Sequence, residues 1–350
     1  MRKSLRVALI ALITILLLAL FLRNSDPGEI LRALADVSLP WFVLALMTNF
    51  TALLLRTARW RTILTATGRR PPLYDTFLST AIGFMSSAIL PVRAGDLIRP
   101  ALLSRRTGTR FSTTLATVVS ERIIDLVAVL TMVIVFALAG LGTLSDDPAT
   151  ARKAILIPTA ATVAAMGLAA LVALIVVVYF FREGSRRLQH RVAALLPKRF
   201  RRGWINFFDT LAAAVAIVGR PSVFARVVLL TAGIWACLTG QLILVLHAIG
   251  RPLPYIASFL VTGMTILGLW IPTPGGVGGF HKAAQMALTN FYGFDVNGSI
   301  VAALIFHIVG TMPVIATGLV LFVREGLSLR QLARLGETAA GEAGRAPAER

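Results

Sequence analysis

Apolar runs of the length a bilayer demands recur along this 350-residue chain, at about residues 5–22, 39–55, 118–140, 154–181, 224–250 and 299–323. A helix needs about 20 predominantly apolar residues to cross the hydrocarbon core. Within that core each backbone N–H and C=O must be paired inside the segment or around a closed barrel. By that rule these runs read as spanning helices. Composition agrees: 57% of residues are hydrophobic and 15% charged, against about 25% charged in an ordinary globular domain. Two further stretches, about 74–92 and 255–290, are apolar but break at Pro and Gly, and they decide the topology.

The formal net charge of +19 raises nucleic-acid binding as an alternative. The basic residues lie between apolar runs, as the positive-inside rule places them in a membrane protein, so no nucleic-acid partner is expected. Arg2, Lys3 and Arg6 put the N-terminus inside, and Arg56, Arg59, Arg61, Arg69 and Arg70 put the end of the second helix inside. A full crossing at 74–92 would leave Arg93, Arg99, Arg105, Arg106 and Arg110 outside. A hairpin that dips in and returns keeps all five inside, and irregular backbone is tolerated at depth where protein or a wet cavity covers it. The same logic makes 255–290 a second re-entrant element, entered from outside, and places both termini in the cytoplasm at the cell membrane.

The expected fold class is therefore an all-α polytopic membrane protein with about six spanning helices plus two re-entrant helical hairpins in an inverted-repeat arrangement. Residues 1–323 form one transmembrane domain, with halves at about 39–140 and 224–323. A basic cytoplasmic connector, 182–222, joins them and carries Trp204, Phe207 and Phe208 for the interface; residues 324–350 form a flexible cytoplasmic tail. Met1 to Leu22 has the charged head and apolar body of a secretory signal without a small-x-small cleavage site, and reads as an uncleaved first helix. The single cysteine, Cys237, excludes an intramolecular disulfide and reads as a small buried hydrophobe. Asn297-Gly298-Ser299 matches a glycosylation sequon by chance frequency.

Ionised groups inside apolar sequence are the candidates for chemistry, because each costs several kcal/mol facing lipid. Arg93, Asp96, Arg99, Glu121, Arg122 and Asp125 form such a set. Glu121 and Asp125 lie one turn apart on a helix beginning near Ser112, and Arg122 reaches Asp125 at i, i+3. Either they pin the hairpin to that helix, or Arg93, Arg99 and Arg122 leave a net positive pocket for phosphate, whose oxygens match the guanidinium fork. In the second half, Pro272-Thr273-Pro274-Gly275-Gly276-Val277-Gly278 followed by His281 and Lys282 makes either a tight hairpin tip or a turn that presents backbone N–H groups to an anion. His247, His281 and His307 read first as packed polar residues. The sequence holds no His-Glu-x-x-His, Walker A or Gly-x-Ser-x-Gly motif, and neither a metal nor a cofactor is expected.

Pro91-Val92-Arg93-Ala94-Gly95-Asp96-Leu97-Ile98-Arg99, Ser120-Glu121-Arg122-Ile123-Ile124-Asp125 and the late Pro272 to Gly278 run together resemble the flippase-like family, which includes the membrane domain of lysylphosphatidylglycerol synthases. The resemblance covers about residues 5–323. It implies a lipid-handling helical domain with re-entrant helices, and its motif positions carry over to Arg93, Gly95, Asp96, Arg99, Glu121, Arg122, Asp125, Pro274, Gly275, Gly276 and Gly278. Two positions depart from the family pattern. A carboxylate expected after the glycines is replaced around Phe280-His281-Lys282, and an Arg expected in the last span is His307. The aminoacyl-transferase domain of the full-length synthases needs hundreds more residues than the tail after Arg324 supplies, so aminoacylation is not expected. The expected function is non-enzymatic: translocation or binding of an anionic phospholipid or lipid-linked headgroup. The alternative is a non-transporting scaffold for a lipid-modifying enzyme or glycosyltransferase. A lipid-linked transferase using Asp96, Glu121 or Asp125 as base ranks last, because neighbouring arginines make carboxylates poor bases. Anionic membrane lipids are the expected partners, with a homo-oligomer or a lipid-modifying enzyme partner left open.

Overall fold

The computed structural model describes residues 12, 14–23, 25–68, 70–89, 94–180, 201, 219–271, 273–328 and 331, and there the chain is helical with short turns. The elements are α1 (14–22), α2 (Pro27–Ala35), α3 (Leu39–Ala66), α4 (Leu73–Ile89), α5 (Gly95–Thr107), α6 (Phe111–Ala139), α7 (Pro148–Ala154), α8 (Leu156–Phe180), α9 (Pro221–Ala248), α10 (Ala257–Gly268), α11 (Gly279–Tyr292) and α12 (Val296–Arg324). Among the described residues, Leu39–Ala66, Phe111–Ala139, Pro148–Val177, Pro221–Ala248 and Val296–Arg324 are long and apolar enough to cross a membrane. The expected first span, 5–22, is described only in part, and the connector 182–222 lies almost wholly outside the described residues.

Local chemistry sets the helix ends. Asp26 caps α2 by accepting from the Gly28 and Glu29 N–H groups, with Pro27 in the first turn, and Asp295 caps α12 by accepting from Gly298 N–H. The short helices α5 and α11 both stop at a glycine in the left-handed region, Gly108 (φ 66°) and Gly293 (φ 67°), where a Cβ would be strained. The second helix does not end at 55 as the sequence pattern suggests. It runs on to Ala66 because Arg56, Arg59 and Arg61 are helix residues with partners of their own.

Side-chain and backbone ties define two ends of the bundle. At one, Arg106 bonds both Asp75 and Glu325 at 2.6 Å, and Tyr74 donates to Glu325 at 2.7 Å. At the other, Ser38 N–H donates to Ala248 O, Ser145 N–H to Phe291 O and Lys153 to Asn290, and Asn297 joins α12 to α2 through Asp26 N–H and Glu29. Asn297, which sits in the sequon, is thus a structural tie. The pair α4–α5 starts and finishes at the first end, and α10–α11 starts and finishes at the second. α3 and α9 lie antiparallel along each other: Ser38 meets Ala248 at one end, and Ile63 packs on Val227 towards the other. At 1.5 Å per residue the arms α4, α5, α10 and α11 extend only about 18–26 Å, short of a full crossing.

Each pair is closed by glycines. A Cβ on Gly95 would stand 1.8 Å from the Gly83 carbonyl oxygen, and one on Gly268 would stand 2.4 Å from that of Gly279. The arms can therefore lie backbone to backbone. The turn Pro274–Gly276 brings Gly275 against the Ala88 carbonyl at the end of α4, while Gly278 fits against Leu17 of α1. One apolar core joins α1, α9, α10, α11 and α12 around Phe21, Leu242, Val261, Leu288 and Val301; a second joins α3, α4, α5 and the end of α12 around Leu53, Ile82, Ile98 and Leu321. Leu138, Leu156, Met166, Leu229 and Val323 are exposed, an apolar perimeter suited to acyl chains.

The Arg106 clasp makes a pH prediction. The Tyr74 hydroxyl, then Arg106, hold the Glu325 carboxyl below its ordinary range. A depressed carboxyl stabilises the fold above its unfolded value and loses that contribution as pH falls through the folded value. Acidification below the usual carboxylate range is expected to loosen α12 from α4 and α5, more weakly in high salt because the clasp is exposed. Hydrogen exchange at residues 321–328 reads this out, and protection that does not change with pH would exclude the clasp as a tie.

Candidate functional site: a buried arginine and carboxylate cluster

Arg59 on α3 is the hub. Its Nε meets Glu121 Oε1 at 3.3 Å, its Nη1 and Nη2 meet the two Asp125 oxygens at 2.6 and 3.2 Å, and Nη1 also donates to Thr231 Oγ1 on α9. Arg99 on α5 takes the other Glu121 oxygen at 2.6 Å. Glu121 is 1% exposed and Arg99 2%. Arg122, half-buried, reaches Asp96 at 3.2 Å and Asp125 at 3.6 Å. Four helices, α3, α5, α6 and α9, are thereby pinned at one level. Counting back from the ends of α3 and α6, that level is about 10–20 Å into the bundle.

Aromatic faces complete the site. The Arg99 guanidinium lies 3.8 Å from the centre of Trp60, whose Nε1 donates to Thr117 at 2.9 Å, and 5.6 Å from Phe84. Arg56, one turn before Arg59, lies over the other part of the cluster with its guanidinium 4.7 Å from the Phe84 ring centre. Arg99 Nε and Nη2 and Arg122 Nε are buried without a hydrogen-bond acceptor among the described residues. Unused donors at depth are costly, so this cluster is built with spare capacity for an acceptor.

Asp96, Arg99, Glu121, Arg122 and Asp125 are brought together as the sequence suggests, while Arg93 lies outside the described residues. Arg99 is turned to Glu121 and Asp96 to Arg122, so two adjacent residues of α6 meet two residues of α5 that lie one turn apart. Gly275 reaches the Ala88 carbonyl at the end of α4, Gly276 packs against Leu269, and Pro274 opens that turn. His281 is buried elsewhere: its Nδ1 accepts from Gly278 N–H, and its ring lies 4.6 Å from His307 and 5.1 Å from Phe21. Lys282 donates to Leu20 O and Gln285, so it caps the last turn of α1. Among the described residues there is no group of three or more His, Cys, Asp or Glu that could hold a metal ion.

The family model described as the lysylphosphatidylglycerol synthase TM region matches residues 5–318. The chain belongs to this family. With five long apolar helices among the described residues, this member of the lysylphosphatidylglycerol synthase TM-region family is a multi-pass membrane protein. It is similar to the protein named glycosyltransferase AglD of Haloferax volcanii, 26% identical over 348 residues, which take in 91% of this chain and 54% of the relative. The chain thus spans about half the length of the curated relative it matches.

Proposed function

We propose that this protein binds an amphiphile by an anionic, phosphate-bearing headgroup and passes it between leaflets while the lipid tails stay in the bilayer. The observation that carries this reading is the buried cluster beside the α4–α5 pair, where Arg99 and Arg122 keep N–H donors without acceptors. Arg93, Asp96, Arg99 and Arg122 form the headgroup site, Glu121 and Asp125 hold its arginines in place, and Gly275, Gly276 and Gly278 close the approach from the second pair. The arrangement of the pairs supports a re-entrant, inverted-repeat design. Helix lengths run long, short, short, long in both halves; α4 packs on α12, the last helix of the other half, and α10 on α6 likewise. Both termini and the 182–222 connector then face the cytoplasm, with the protein in the cell membrane and residues 1–323 acting as one domain.

Reconstitution into liposomes holding fluorescent phosphatidylglycerol tests it. Wild-type protein is expected to equilibrate the probe between leaflets, and Arg99→Gln to slow this. Exchange no faster than in empty vesicles would refute translocation.

The similarity to a protein named a glycosyltransferase supports a second reading, a membrane scaffold serving a lipid-linked sugar transferase. It requires a partner held through the basic connector and no leaflet exchange. Charge reversal among the arginines of 182–226 would then release the partner.

A further inference from the structure

We infer that Arg56 is the principal anchor of the anionic headgroup, binding a phosphate together with the unused N–H groups of Arg99. The inference rests on the headgroup reading above and says which cation does the binding.

Four arginines surround the cluster, and they are not equivalent. Arg59 is saturated by Glu121, Asp125 and Thr231; Arg99 is committed to Glu121 through Nη1; Arg122 is shared between Asp96 and Asp125. Among the described residues Arg56 has no carboxylate, carbonyl or hydroxyl partner, and the contact that holds it is the face of Phe84. That ring is shared: Arg99 lies 5.6 Å from the same centre. Two guanidinium ions against one ring, inside a membrane helix bundle, repel each other unless an anion joins them. Arg99 brings unused donors to that neighbourhood, since its Nε and Nη2 are buried without an acceptor among the described residues.

The charge count agrees. Arg56, Arg59, Arg99 and Arg122 face Asp96, Glu121 and Asp125, one cation in excess among the described residues. A phosphate monoanion neutralises it and offers oxygens to two guanidinium forks at once. The source is a lipid phosphodiester or free phosphate, which share this chemistry.

The test uses the full chain purified in a neutral detergent and titrated with short-chain phosphatidylglycerol in one arm and inorganic phosphate in the other. Arg56→Gln is expected to weaken phosphatidylglycerol binding by at least about tenfold, the loss of a charged hydrogen bond. Arg152→Gln, at an exposed arginine on α7, should leave binding unchanged. Competition by inorganic phosphate would assign recognition to the phosphate alone; its failure would require the lipid. Since Arg56 makes no ion pair, the glutamine variant should melt with the wild type. If it does not insert, Arg56→Lys takes its place, expected to bind several-fold more weakly for want of the fork. Wild-type affinity in the folded variant would overturn the role of Arg56 and leave the headgroup reading standing. Wild-type protein that binds neither probe would overturn both.

Discussion

Replacing Arg59 with glutamine is expected to cost about 3–5 kcal/mol, enough to abolish folding of a marginally stable bundle. Among the described residues the guanidinium is the one cation that touches both Glu121 and Asp125, and with it gone Glu121 keeps Arg99 alone and Asp125 keeps only Arg122 at 3.6 Å, at a depth where water cannot make up the lost bonds. A buried pair adds little net stability relative to an apolar replacement, yet losing one partner is severe, so removing the anions along with the cation should recover most of the loss. Arg59→Gln with Asp125→Asn is expected to melt well above Arg59→Gln alone. Thermal unfolding in detergent, followed by size-exclusion recovery, measures both. A single variant that melts with the wild type would show the cluster to be wet.

The other large effect is steric. Gly95→Ala puts a methyl group 1.8 Å from the Gly83 carbonyl oxygen, and neither backbone can rotate away as a side chain would. Overpacking costs about 1–3 kcal/mol and sometimes more; with backbone on both sides the upper end is expected, together with separation of α4 from α5. Gly268→Ala should do the same to α10 and α11, where the carbonyl of Gly279 stands 2.4 Å from the added atom. Gly263→Ala is the control, since nothing lies within 4 Å of its added carbon and a helical alanine is preferred to glycine. Equal melting temperatures for Gly95→Ala and Gly263→Ala would rule out the close crossing.

The long helices were legible because length and hydropathy are local properties. That the stretch at 74–92 is interrupted was legible for the same reason, from Pro91 and Gly95. The hub of the site was not. Arg56 and Arg59 follow an apolar run, and counting charge by loop assigns such residues to the flank, which is how a span ending near 55 came to be expected. One signal was available: Arg56, Arg59 and Trp60 share a helical face at i, i+3 and i+4, a pattern that a flank exposed to headgroups does not need. The true partners of Arg99 and Lys282 were illegible for a different reason. Each lies on another helix, Glu121 on α6 and Leu20 on α1, and side-chain spacing within one segment carries no information about which carbonyl or carboxylate a neighbouring segment will offer.

The attachment of α1 has a consequence in time. Its final carbonyls, Leu20 O and Phe21 O, accept from Lys282 and Gln285, partners 262 and 264 residues later in the chain. At about 5–20 residues per second of synthesis, roughly 10–50 s separate the emergence of the two halves of that contact. During that interval α1 is held by lipid and insertion machinery alone. Its docking is accordingly a late event of biogenesis, and an early pulse of newly made chain should show residues 14–22 open to crosslinking with the translocon, an opening that closes once α11 has been made.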